Sequence, residues 1–202
     1  MFSKLTWKVN HSLAYPTPSP HAGPHGMNQT LTCIALPAPD CVRHGIFPLH
    51  DETCPLPAGL ARHVEDAEQI LLPPTMPAPD TRNTLSEPAL RAPDMGAWQG
   101  QSLKDLPAAA LARWVADTGF APPGGESRAA HLQRVTRWLE ALPSAPARMA
   151  VLADATVVRA IVVAALGGTA AMLVRLDIAP LTRTHLTRHT AWRVAVSGAP
   201  LP

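Results

Sequence analysis

Asp154 is the residue best placed to do chemistry. It stands between Met149–Ala153, a short apolar run, and Thr156–Leu166, a run apolar on nearly every face. That pair reads as a buried strand feeding a buried helix, which Gly167-Gly168 then ends. Asp154 thus falls at a strand's carboxyl end and a helix's amino end, where open α/β sheets place their ligands. A carboxylate there is either an N-cap or a catalytic acid or base, and capping is the commoner use. The other candidates are weaker. His11, His21 and His25 sit among prolines without cysteines or carboxylates beside them, which is no metal site. Cys33, Cys41 and Cys54 are odd in number and lack metal-ligand spacing, so they read as reduced thiols of a cytoplasmic protein.

The elements that must hold Asp154 lie mostly in the back half of the chain. Of 202 residues, 47% are hydrophobic and 16% charged, enough for one substantial core. Most of the 23 prolines precede residue 124, so the front half is rich in loops. Residues 1–28 have no periodicity and read as a disordered leader, with Met27 as an alternative start; 29–202 form the domain. Leu31–Leu36 is the first strand. Pro57–Ile70 is expected to be an amphipathic helix with Leu60, Ala61, Val64 and Ala67 inward and His63 on the surface. Leu103–Asp117 reads as a helix with Leu106, Leu111, Trp114 and Val115 inward. Arg128–Leu142 is the long helix, capped by Ser127, with Leu132, Val135, Trp138 and Leu139 on its core face. Met172–Leu181, Thr184–Arg188 and Ala191–Val196 read as three strands. The net charge of +2 and the lack of stacking aromatics around Arg183, His185, Arg188, His189 and Arg193 speak against a nucleic-acid face. No apolar run reaches the ~18 residues of a membrane span.

Several motifs carry a resemblance. Val157-Val158-Arg159-Ala160, Gly96-x-Trp98-x-Gly100, Pro123-Gly124-Gly125-Glu126-Ser127 and Phe47-Pro48 followed by Asp51-Glu52 are together similar to scaffold motifs of the histidine phosphatase (phosphoglycerate mutase-like) superfamily, over about residues 29–197. The resemblance implies a three-layer α/β/α sandwich, its sheet mostly parallel with an antiparallel C-terminal edge. It also implies four catalytic positions: a nucleophilic His ending the first strand, an Arg that clamps phosphate, an acid for the leaving group and a second His before the Val-Ile-Arg-Ala helix. Those positions hold Leu36, Met76, Ala92 and Asp154. Arg43-His44-Gly45 repeats the family's nucleophile tripeptide, but the strand that should deliver it ends at Leu36. Its match is instead a later Arg-x-Gly-x-Phe-Pro motif.

Leu36 cannot attack phosphorus, Met76 brings no charge and Ala92 cannot donate a proton. Asp154 would repel a phosphoryl group, by about 4 kcal/mol for unit charges ~4 Å apart at an effective dielectric near 20. The expectation is therefore a degenerate family member: a non-catalytic binding or regulatory protein without cofactor or metal. Its pocket, drawn from Leu36, Arg43, Met76, Glu126, Ser127, Asp154 and Ala155, would take a neutral or cationic small molecule or be vestigial. A protein partner and a homodimer stay open. The alternative is an active phosphomonoesterase with His44 as nucleophile, Arg43 as clamp and Asp94 or Glu126 as acid. A third reading keeps the pocket and makes Asp154 a general base.

Overall fold

The computed structural model describes residues 28–50, 52, 57, 59–77 and 83–201. All but the last residue of the expected leader, together with Asp51 and Cys54, lies outside the described residues.

The described residues build one six-stranded sheet from β1 (Gln29–Leu36), β2 (Gln69–Leu72), β3 (Thr84–Ser86), β4 (Arg148–Asp154), β5 (Thr182–Arg188) and β6 (Trp192–Pro200), in the order β3-β2-β4-β1-β5-β6. The ladders joining β3, β2, β4 and β1 are parallel, whereas β5 and β6 add an antiparallel edge. Among the described residues four α-helices accompany it: α1 (Asp40–Arg43), α2 (Ala108–Ala116), α3 (Arg128–Ala141) and α4 (Ala155–Ala165).

Side chains on the central strands alternate between two apolar layers, as the strand period of two requires. Leu31, Cys33 and Ala35 of β1, with Met149, Val151 and Ala153 of β4, face α3 and α4 in the larger core. From the helices this core receives Leu132, Val135, Trp138 and Leu139 of α3, and Val157, Val158 and Ile161 of α4. Ile34, Leu36, Ala150 and Leu152, with Ile70 and Leu72 of β2, face the opposite way and are covered, among the described residues, by Leu60, Val64 and their partly buried neighbours. The connection that follows β1 thus lies on one face of the sheet and α4, which follows β4, on the other. Adjacent parallel strands whose connections part in this way form a topological switch point.

Three expectations are corrected. Pro57–Ile70 is not a helix: a single 3-10 turn, Leu60–His63, precedes β2. The apolar spacing was right, since Leu60 and Val64 are buried, but Gly59 and the early start of β2 leave no length for α-helix. The helix expected over Leu103–Asp117 is only α2, and Val115 is 64% exposed. Met172–Leu181 is not a strand; Ala170–Val174 forms a 3-10 helix in which Leu173 alone is buried. The short strand β3 was missed.

Candidate functional site

The switch point has a cavity above it. In the β1–β4 ladder Leu36 is directly opposite Asp154, so the ends of the two strands stand side by side. A cavity of about 110 Å³ opens there, lined by Leu36, Met76, Ala92 and Asp154 together with prolines, Leu90, Met95, Thr75 and His50. The four positions assigned by resemblance, far apart in sequence, therefore line one space.

Asp154 is braced by the helix it starts. Its Oδ1 accepts from the Thr156 N–H and from the Thr156 hydroxyl, each at 2.6 Å. This is the N-cap expected from the sequence, satisfying donors that the first turn of α4 would otherwise leave open. Asp94 is held similarly from the loop opposite: its Oδ1 accepts from the Gly96 N–H at 2.8 Å and the Gln99 amide at 2.9 Å. Gln99 in turn accepts from the His50 N–H at 2.9 Å, so one side chain joins two walls of the cavity. Nothing in the sequence signalled His50 or Gln99, because their role arises only where distant loops meet. Glu52, also lining, accepts from the Leu49 N–H at 3.1 Å and the Cys41 thiol at 3.4 Å. Among the described residues Arg91 is the one Lys or Arg in the lining, and its Nε donates to the Pro88 carbonyl at 3.3 Å.

These loops are fixed from behind. Phe47, Trp98, Trp114 and Phe120 pack in tilted and edge-to-face pairs with ring centroids 5.6–6.0 Å apart, joining the 45–50 loop, the 94–101 loop and α2. The Asp94 loop also packs backbone to backbone on the 123–126 turn, with Ala97 N–H to Pro123 carbonyl at 2.8 Å and Glu126 N–H to Asp94 carbonyl at 2.7 Å. A Cβ on Gly96 would collide with the Pro123 carbonyl oxygen, and one on Gly125 would come 2.6 Å from the Asp94 carbonyl. Two motifs that are separate in sequence are one structural unit.

The remaining candidates are elsewhere. Arg43 and His44 are exposed at the end of α1 and neither lines the cavity. Glu126 is committed to Arg134, both of its oxygens accepting, at 2.9 and 2.7 Å. Ser127 caps α3 by accepting from the Ala130 N–H at 3.1 Å. Ala155 opens α4 without reaching the lining. Behind Glu126 lies His131, only 2% exposed and not singled out by the sequence, with Arg134 donating to its Nδ1 at 3.0 Å. Burial first, then the Arg134 charge, lower its pKa to about 4, so it is neutral at physiological pH. Among the described residues no group of three or more His, Cys, Asp or Glu could hold a metal ion, and no helix is long and apolar enough to cross a membrane. Cys33 and Cys41 are free thiols, Cys33 buried in β1.

No curated protein sequence matches the chain. Solved structures do. Alpha-ribazole phosphatase from Shigella flexneri superposes with a TM-score of 0.68 at 18% identity, over 86% of this chain and 99% of that one. Mycobacterial glucosyl-3-phosphoglycerate phosphatase gives 0.64 at 19%, over 86% and 99%, and has also been solved with inorganic phosphate. A protein described as mycobacterial hydrolase 1 gives 0.65 at 24%, over 86% and 100%. At these identities the likeness establishes the fold. Residues 61–197 match the family profile of the histidine phosphatase superfamily (branch 1), so the chain belongs to that superfamily.

Proposed function

We propose that this chain is a non-catalytic member of its superfamily, a binding or regulatory protein whose cavity no longer processes phosphate esters. One observation carries the reading. The cavity at the carboxyl ends of β1 and β4 is lined by Leu36, Met76, Ala92 and Asp154, the positions that the resemblance assigns to nucleophile, clamp, acid and second histidine. Phosphoryl transfer needs an attacking lone pair and cationic neutralisation of the equatorial oxygens. Among the described residues this lining offers three carboxylates, Glu52, Asp94 and Asp154, against one guanidinium.

The phosphomonoesterase alternative needs His44 as nucleophile and Arg43 as clamp, and both lie outside the lining. Of its two proposed acids, Asp94 reaches the cavity, whereas Glu126 is paired with Arg134. The test is hydrolysis of a generic aryl phosphate by wild type and His44→Ala in parallel. Neither is expected to turn over above background. Wild-type turnover on the order of one per second or faster, abolished by His44→Ala, would replace this reading with a displaced-nucleophile phosphatase.

A further inference from the structure

We propose that the cavity takes a primary ammonium group on a short apolar body, with Asp154 and Asp94 accepting from the ammonium. The proposal rests on the non-catalytic reading above and names the ligand class of the same site.

Three features of the cavity point to it. The first is the state of the two carboxylates. Asp154 directs both of its hydrogen bonds to Oδ1, and so does Asp94, so each is held in place through one oxygen. The Oδ2 of each has no hydrogen-bond partner among the described residues. Two braced carboxylates from separate elements, each with an oxygen to spare, are preorganised acceptors. They come from the end of β4 and from the 91–95 loop, and with Glu52 they outnumber Arg91 among the described lining residues.

The second feature is the wall. Leu36, Met76 and Leu90, with the prolines, present hydrocarbon to the interior. Among the described residues no Phe, Tyr or Trp lines it, so they build no aromatic cage of the kind that holds quaternary ammonium groups. An ammonium with N–H donors is the cation that such acceptors can bind, and a primary one brings three. The third is size. An apolar cavity of about 150 Å³ takes benzene. At about 110 Å³ this one suits a body of roughly five carbons, with the charged head at the carboxylates.

Titration calorimetry on the full chain tests this, with cyclopentylamine and its neutral counterpart cyclopentanol in buffer of physiological ionic strength. Asp154→Asn and Asp94→Asn are the paired variants. Asn keeps an acceptor oxygen for each brace and is itself a good N-cap, so both should fold, which circular dichroism checks. Cyclopentylammonium should bind wild type at least about tenfold tighter than cyclopentanol, and each Asn variant should lose about tenfold, the worth of one charge-assisted hydrogen bond. Equal binding of amine and alcohol, unchanged affinity in both folded variants, or no amine binding at ~10 mM overturns the proposal. The same preparations are assayed on aryl phosphate. Turnover there overturns the non-catalytic reading itself, whereas absence of both turnover and amine binding overturns the ammonium assignment alone.

Discussion

Asp154 has a structural duty that can be separated from its charge. Removing the cap altogether, in Asp154→Ala, leaves the Thr156 N–H unsatisfied and is expected to cost about 1 kcal/mol in urea unfolding at pH 7. Asp154→Asn should lose only a few tenths. Equal loss in both variants would mean that charge at the α4 amino end, and not the hydrogen bond, does the stabilising. His131 allows a second test at this scale. Its pKa is about 4 in the folded protein against 6.5 ordinarily, so as pH falls the unfolded chain takes up the proton first. The stability it contributes is present above about 6.5 and is lost between there and about 4. Between pH 7 and pH 5 the loss should be about 2 kcal/mol, and His131→Gln should remove that slope. Arg134, Glu126 and Asp154 also face this histidine, and a slope that persists unchanged in the variant would overturn its assignment to His131.

At the scale of elements, the contact between the 94–97 loop and the 123–126 turn sets the shape of the cavity wall. Gly96 has φ of 50° and no room for a methyl group against the Pro123 carbonyl, while Gly124 has φ of 72° and open space. Gly96→Ala is therefore expected to destabilise by more than ~2 kcal/mol and Gly124→Ala by about 1 kcal/mol, as thermal or urea unfolding would measure. Similar costs at the two positions would show that backbone conformation alone matters. The sequence displayed both glycine motifs but not that they touch, because contact between segments some 25 residues apart leaves no periodic trace. Where an element fills its expected length with one pattern, as α3 and α4 do, the sequence was a sufficient guide. It misled at Pro57–Ile70 because Leu60 and Val64 have helical spacing yet only start and follow a single 3-10 turn, and because Gln69–Leu72 is too short to announce itself as a strand. The site was legible in its four substituted positions through resemblance, whereas Gln99 and His50 were silent, since a hydrogen bond between loops has no signature in either loop.

At the scale of the whole molecule, the described residues pack the two faces of the sheet unequally, and its dynamics should follow. One face of the sheet is covered by α3 and α4, with Leu31, Val151 and Ile161 fully buried between them. The other carries a small cluster closed by Leu60 and Val64. Amide exchange reports the free energy of opening each part, and deep apolar burial on both sides of a strand raises it. β1 and β4, central in the sheet and flanked on both edges, should exchange only by global unfolding. β3, three residues long with Leu85 52% exposed, and the outer amides of β6 should exchange by local opening, orders of magnitude faster. Leu31→Ala, in the thick layer, should accelerate exchange in β1 and β4 together and cost toward the upper end of the ~2–5 kcal/mol range for such truncations. Leu60→Ala, on a 3-10 turn that can settle inward, should cost toward the lower end and speed exchange mainly in Leu60–His63 and β2. If both truncations accelerated all strands alike, the two layers would form one cooperative unit, and the cavity at their shared edge could not change shape without unfolding the domain. Separate responses would instead let the thin layer move while β1 and β4 keep Leu36 and Asp154 in register, so that the cavity wall could adapt to a ligand without loss of the sheet.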